Sequence, residues 1–145
     1  MKEDGYALRW VKEQTPEICM VAVQQNGYAL EFVREQTPEL CMAAVKQNGW
    51  ALKLVKKQTT DICLAAVKEN GKALLKVKVQ TPEICLAAVH QNGEALEYVN
   101  EQTFEICLAA VQKSAGAFNY IEDLDMREQV KERLQEQKLS TMLIF

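Results

Sequence analysis

Apolar residues recur along this chain with a period of 22 residues, and this repetition is the dominant pattern in the sequence. Each copy reads G-x-A-L-x-x-V-x-x-Q-T-P-E-I-C-L-A-A-V-x-x-N, so polar residues separate two apolar clusters. The positions that recur most strictly are the glycines Gly5, Gly27, Gly49, Gly71 and Gly93, the threonines Thr15, Thr37, Thr59, Thr81 and Thr103, and the cysteines Cys19, Cys41, Cys63, Cys85 and Cys107. We number the copies repeats 1 to 5, covering residues 5–26, 27–48, 49–70, 71–92 and 93–114, followed by a degenerate sixth copy at 115–124.

The first apolar cluster of each repeat predicts a short helix. In repeat 2 this helix is expected to run from about Gly27 to Glu35, with Ala29, Leu30 and Val33 on one side. The residue before it is a good N-cap in every copy, namely Asp4, Asn26, Asn48, Asn70, Asn92 and Ser114. The alternative is that Asn26 ends the preceding helix, with Gly27 in the left-handed conformation.

The second apolar cluster predicts a second helix with an equally clear start. Thr37 is the expected N-cap, Pro38 the first helical residue and Glu39 an acid in the first turn. The run Leu40–Val45 is apolar on every side, so we expect this helix to be the inner, fully buried layer. The first helix would then form a half-exposed outer layer.

Helices of this length are marginal alone, because nucleation is costly and few hydrogen bonds follow it. Stacking of neighbouring repeats buries the apolar faces, which predicts an all-α fold, an α-solenoid of five to six two-helix repeats of either hand. We expect the array to occupy residues 1–124 and a C-terminal capping helix with an apolar tail to occupy 125–145.

The C-terminal segment differs from the repeats. Residues 125–138 predict a helix with Asp125 as N-cap and Met126, Val130 and Leu134 on one side. The tail after it is expected to dock on the array, pair with a second copy or insert into a partner, and it contains Met142, Leu143, Ile144 and Phe145. No comparable cap precedes repeat 1, so a head-to-head homodimer is one way to cover that end.

The repeats resemble a known family. The segment G-Y-A-L-x-x-V, followed by L-A-A-V-K-Q-N-G, is similar to the tandem repeats of the domain-of-unknown-function 4116 family, which occur in bacterial and large-virus proteins. The resemblance covers Gly5 to Ser114 and is most specific at Ala43–Gly49. It departs at Gln36–Glu39, where the family more often has an Asp-containing turn. It implies a helical-repeat fold and no particular activity.

Composition narrows the class of protein. The 145 residues carry a net charge of −3 and are 48% hydrophobic, which is typical of a single folded domain. No apolar run approaches the ~20 residues that span a bilayer, and the N-terminal sequence has no apolar signal-peptide stretch. We therefore expect a cytoplasmic protein without membrane contact.

The side chains that could take part in catalysis or metal binding are more consistent with structural roles. The five cysteines share one position on a buried helix, and unpaired thiols there fit a reducing compartment. The five glutamines Gln14, Gln36, Gln58, Gln80 and Gln102 are expected to bond the turns or the backbone of neighbouring repeats. We expect His90 to be a solvated surface residue. We expect no catalytic residue, no metal site and no cofactor, and hence no enzyme.

The second, fifth and ninth positions of each repeat vary, and we expect them to point outward from the first helix. The second positions are Tyr6, Tyr28, Trp50, Lys72 and Glu94, the fifth Arg9, Glu31, Lys53, Leu75 and Glu97, and the ninth Glu13, Glu35, Lys57, Val79 and Glu101. Exposed aromatics beside charges are typical of protein-binding surfaces, although the aromatics could instead lie flat over neighbouring repeats. The expected partner-binding residues are Tyr28, Trp50, Lys53, Lys57, Lys72, Leu75 and Val79.

Charge is distributed unevenly, which favours a charged partner. Eight lysines lie between Lys46 and Lys78 against Asp61 and Glu69, whereas acids dominate from Glu83 to Glu128. The sequence predicts a non-enzymatic scaffold or adaptor that binds another protein, for example an inhibitor that blocks a larger protein. The alternative is a nucleic-acid-binding repeat protein that uses the basic middle repeats.

Overall fold

The computed structural model describes residues 5–144 and contains twelve helices over that range. Each repeat consists of a six-residue 3₁₀ helix followed by a ten-residue α-helix, and a longer α-helix follows the sixth 3₁₀ helix. The 3₁₀ helices are Gly5–Trp10, Gly27–Phe32, Gly49–Leu54, Gly71–Lys76, Gly93–Tyr98 and Ala115–Tyr120. The α-helices are α1 (Pro16–Gln25), α2 (Pro38–Gln47), α3 (Thr60–Glu69), α4 (Pro82–Gln91), α5 (Phe104–Lys113) and α6 (Leu124–Ile144).

The first helix of each repeat is shorter and tighter than the sequence pattern predicted. In repeat 2 it ends at Phe32 rather than near Glu35, and Val33 is already extended. Gly27, Ala29 and Leu30 are buried within this helix, and Gly27 and Leu30 are separated by three residues, one turn of a 3₁₀ helix. The expectation of a longer helix over 27–35 was wrong. The six residues Gly27–Phe32 fit the period of an α-helix and that of a 3₁₀ helix equally well, so the sequence pattern did not distinguish the two.

The start of the second helix is confirmed in repeat 2. Pro38 is its first residue, and the Thr37 hydroxyl accepts a hydrogen bond from the amide of Leu40 at 3.2 Å. The expectation that this helix is buried on every side was wrong, because Met42 and Ala43 are half-buried and Lys46 is exposed. The core lies between the 3₁₀ layer and the α layer, and each layer has one face toward solvent.

Asparagine is the N-cap of the four 3₁₀ helices that it precedes, as predicted. Asn26 Oδ1 accepts from the amide of Tyr28 at 2.9 Å, and Asn48 makes the same bond to Trp50 at 3.0 Å. The alternative with Gly27 in a left-handed conformation is wrong, because no residue of the described chain has a positive φ. Ser114 makes no side-chain cap bond, contrary to expectation, and Asp4 lies outside the described residues.

The repeats stack into an all-helical solenoid, which confirms the predicted fold class. Consecutive α-helices pack against one another, and so do consecutive 3₁₀ helices. Leu30, Leu52 and Leu74 occupy one equivalent position in the shared core, and each is fully buried. The glycine that opens a repeat lies against the end of that repeat's α-helix, so a Cβ on Gly49 would stand 2.6 Å from the carbonyl oxygen of Ala66.

Helix α6 covers the last repeat but differs in detail from its prediction. Val130 is fully buried, and Met126 and Leu134 pack against the core. The N-cap is Asp123 rather than Asp125, because the Asp123 carboxylate accepts from the amide of Met126 at 3.1 Å. The helix also continues beyond residue 138 to Ile144, since the predicted tail contains neither Gly nor Pro to end it. No helix within residues 5–144 meets the length and hydrophobicity needed to cross a lipid bilayer.

Candidate functional site

The repeated glutamines connect each repeat to the next, as the sequence predicted. Gln58 Nε2 donates to the carbonyl of Lys76 at 2.8 Å, and Gln58 Oε1 accepts from the amide of Lys78 at 2.9 Å. One side-chain amide therefore satisfies both a carbonyl and an N–H in the turn of the following repeat. We call this pair of bonds the glutamine bridge. The five bridges are formed by Gln14, Gln36, Gln58, Gln80 and Gln102, with both bonds present in each.

The cysteines lie beside these bridges. All five are buried free thiols, and the Cys85 Sγ donates weakly to Gln80 Oε1 at 3.4 Å. Burial raises the pKa of every thiol above its ordinary value of 9.0, and raises that of Cys107 to about 11. The thiols are therefore neutral packing groups at neutral pH.

These raised pKa values predict a loss of stability in alkali. The folded state holds thiol protons that the unfolded chain releases, so the Cys107 contribution is complete below pH 9.0 and is lost as the pH rises toward about 11. We expect the urea midpoint to fall across this window, and to fall less in a Cys107→Ala variant. A variant with the same pH slope as the unmodified chain would contradict this role of Cys107.

The second and fifth positions of each repeat share one face of the 3₁₀ layer, because they are separated by one 3₁₀ turn. Tyr28 and Trp50 are half-buried on this face, so each ring packs partly on the array while its remaining surface reaches solvent. The Lys53 ammonium lies 4.9 Å from the centre of the Tyr28 ring, within range of a cation–π interaction. In the next pair of repeats the equivalent residues are Trp50 and Leu75: Trp50 corresponds to Tyr28, and Leu75 corresponds to Lys53.

The remaining predicted site residues lie at two other places. Lys72 is on the same face and its ammonium is 3.8 Å from a carboxylate oxygen of Glu94. Lys57 and Val79 lie in the turns after the 3₁₀ helices, not on those helices as predicted, because each helix ends after six residues. Both are exposed, and Val79 is 76% accessible.

The structure therefore brings five of the seven predicted residues onto one face and places two on the adjoining turns. The five are Tyr28, Trp50, Lys53, Lys72 and Leu75. The repeat pattern did not indicate the grooves between α-helices, such as the groove of about 570 Å³ lined by Met20, Met42 and Ala43. Those positions are apolar in every repeat, which made them indistinguishable from core. His90 is exposed, as predicted, and borders an equivalent groove of 540 Å³.

Smaller cavities open between consecutive repeats beside the glutamine bridges. The cavity between repeats 2 and 3 has a volume of 230 Å³ and that between repeats 4 and 5 has 190 Å³. They are lined by the same bridge glutamine, N-cap threonine and buried cysteine in each case, with Lys57 or Glu101 at the rim. The residues that line them are thus those that hold the repeats together.

The tip of α6 stands free of the array. Two interactions join α6 to α5: the Arg133 guanidinium lies 5.2 Å from the centre of the Phe104 ring, and Gln112 Nε2 donates a hydrogen bond to Gln137 Oε1 at 2.9 Å. Met142 and Leu143 are 64% and 86% exposed, so docking of these two residues on their own array is excluded. The side chain of Ile144 and all of Phe145 lie outside the described residues. Pairing with a second copy or insertion into a partner stays a prediction.

Comparison with known proteins agrees with the repeat architecture. Two tandem segments, residues 37–78 and 81–125, match the model of the family described as Domain of unknown function (DUF4116). No curated protein and no solved structure matches the chain. Because the two segments together cover more than half of its length, the protein belongs to the DUF4116 family.

Proposed function

We propose that this protein is a non-enzymatic scaffold that binds another protein through the 3₁₀ face and adjoining turns of repeats 2 to 4. The proposal rests on the difference between the structural positions of the repeat and its variable, exposed positions. Positions that make the core, the caps and the glutamine bridges recur in successive copies, whereas the second, fifth and ninth positions change and lie toward solvent. Variation at solvent-facing positions suits recognition of a partner.

The composition of this face supports a protein partner. Leu75 is 51% exposed and Val79 76% exposed, at positions that are charged in the other repeats. The half-buried rings of Tyr28 and Trp50 present rigid apolar area, and Lys53, Lys57 and Lys72 surround it with positive charge. Aromatic anchors inside a polar rim are the usual arrangement of a protein–protein interface. An inhibitor that blocks a larger protein is one form that such a scaffold would take.

The five unpaired thiols support a reducing, cytoplasmic location as part of this proposal. Free buried cysteines persist where glutathione and thioredoxin keep thiols reduced. The same thiols would face oxidising conditions in a secreted protein.

Capture from an extract of the native host tests the proposal. We expect the immobilised chain to enrich a defined partner, and a Trp50→Ala/Lys57→Glu variant to retain about tenfold less, which corresponds to 1.4 kcal/mol. The readout is quantitative mass spectrometry of the bound fraction. The control is Trp10→Ala/Lys12→Glu, which makes the same two types of substitution in repeat 1, outside the proposed surface. Equal capture by the Trp50→Ala/Lys57→Glu variant and the unmodified chain would show that this face is not the binding surface.

The lysine excess between Lys46 and Lys78 favours nucleic acid as a second candidate partner. A salt titration with single-stranded DNA separates the two candidates. Affinity that falls steeply with the logarithm of salt concentration supports nucleic-acid binding. Absence of binding at low salt removes this candidate.

A further inference from the structure

The fifth and ninth positions of repeats 3, 4 and 5 form a strip whose chemistry changes in a regular order. Repeat 3 carries two lysines, repeat 4 two aliphatic residues and repeat 5 two glutamates. We call these six exposed residues the outer strip; they are Lys53 and Lys57, Leu75 and Val79, and Glu97 and Glu101. Since consecutive 3₁₀ helices pack side by side, the basic, apolar and acidic pairs follow one another along the array.

The charges of the outer strip are not neutralised by ion pairs within residues 5–144. The ion pairs found there are Lys72–Glu94, Lys131–Glu128 and Arg133–Glu136, none of which includes a residue of the strip. The Lys53 ammonium lies over the Tyr28 ring, and Lys57 is exposed at the rim of an inter-repeat cavity. The strip therefore presents two lysines and two carboxylates that an opposing surface can pair.

We propose that a second copy of this chain docks on the outer strip in an antiparallel, two-fold symmetric arrangement. A two-fold axis through repeat 4 places repeat 3 of one copy against repeat 5 of the other. Lys53 and Lys57 then face the partner copy's glutamate pair, and Leu75 and Val79 face their own counterparts. An interface with two-fold symmetry requires a self-complementary surface, and a basic–apolar–acidic order centred on the axis has that property.

Charge complementarity favours a second copy over a different occupant. Another protein would have to supply an acidic, an apolar and a basic group at the spacing of three successive repeats. A second copy supplies them at that spacing because the same 22-residue step sets both surfaces. The apolar centre adds the burial of Leu75 and Val79, which otherwise remain in water.

This inference rests on the proposed function in that it assigns a partner to the same face. The two fail separately, however. Dimerisation is measured on the purified chain alone, whereas the proposed scaffold role is measured by capture of a different protein. A monomeric chain that still captures a partner through Trp50 and Lys57 would overturn the dimer and leave the scaffold role in place.

Charge reversal tests the dimer directly. One variant carries Lys53→Glu and Lys57→Glu, so its strip has acids on both sides; the other carries Glu97→Lys and Glu101→Lys, so its strip has bases on both sides. By analytical ultracentrifugation at low salt, from micromolar to millimolar concentration, we expect the unmodified chain to dimerise and each variant alone to be monomeric. Mixing the two variants should give a heterodimer, and combining all four changes in one chain should restore the homodimer.

A matched control separates this effect from a change of net charge. The variant Lys46→Glu/Lys68→Glu has the same net charge as Lys53→Glu/Lys57→Glu but changes exposed lysines on α2 and α3, so it should still dimerise. Circular dichroism confirms that each variant is folded. An unmodified chain that stays monomeric, variants that fail to associate when mixed, or a control that dissociates equally would each overturn the proposal.

Discussion

Replacing Gly49 by alanine is expected to lower the free energy of unfolding by about 1–3 kcal/mol, the range for forcing an extra carbon into a packed site. The new Cβ would lie 2.6 Å from the carbonyl oxygen of Ala66 and 3.3 Å from the amide nitrogen of Asn70. Both contacts are to backbone at the end of α3, so relief requires the 3₁₀ helix and the α-helix to move apart. Urea unfolding followed by circular dichroism measures the loss.

Gly116 provides the matched control for this substitution. It also lies in a 3₁₀ helix, but a Cβ there would meet its nearest atom, a carboxylate oxygen of Glu94, at 3.7 Å. Gly116→Ala should therefore leave stability unchanged or raise it slightly, since alanine restricts the unfolded chain. If both alanine variants lose the same stability, close approach is not the reason for the repeated glycine.

Replacing Gln58 by methionine is expected to cost about 2 kcal/mol, because two hydrogen bonds of the glutamine bridge are lost together. Methionine keeps the length of the side chain but provides neither the donor for the Lys76 carbonyl nor the acceptor for the Lys78 amide. The lost hydrogen bonds connect repeat 3 to repeat 4, and each repeat depends on its neighbours for stability. Urea unfolding should show a lower midpoint and a broader transition.

The control for the bridge is Gln135→Met on the exposed face of α6. This change adds the same thioether at a position that joins no two repeats, and surface substitutions of this kind stay within about 0.5 kcal/mol. A Gln58→Met variant as stable as Gln135→Met would mean that water replaces the bridge at no cost.

The parts of the fold that depend on local chemistry could be predicted from the sequence. Thr37, Pro38 and Glu39 specify a helix start by hydrogen bonding and φ restriction within one turn, and the structure has that start. The asparagine cap at Asn26 is equally local. The repeated Gln58 position pointed to contacts between repeats, because an amide recurring once per copy has a partner once per copy.

The parts that depend on contacts distant along the chain could not be predicted. The close approach of Gly49 to Ala66 joins residues 17 positions apart, and nothing within either segment encodes it. The 3₁₀ geometry of Gly27–Phe32 was ambiguous because six residues fit both helical periods. The half-exposed stripe at Met42 and Ala43 was hidden for a third reason, since apolar residues that border an open groove look like core.

The candidate surface was predicted in composition more than in geometry. Variation between copies identified Trp50, Lys53 and Leu75, because residues not needed for stacking are free to change. The positions of Lys57 and Val79 in turns depend on where the 3₁₀ helix ends, which the repeat pattern alone did not fix. Glu97 and Glu101 could be identified from the sequence as variable acidic positions. Their place next to Leu75 in the outer strip depends on the packing of consecutive 3₁₀ helices side by side.

Hydrogen exchange of the turn amides tests most directly whether side-chain amides connect successive repeats. The amides of Lys56, Lys78 and Asn100 belong to exposed residues outside the helices, yet each donates to a bridge glutamine at 2.9 to 3.0 Å. We expect slow exchange at these three amides, and selective loss of protection at Lys78 in the Gln58→Met variant. Exchange at the rate of free turn amides in the unmodified chain would contradict this expectation.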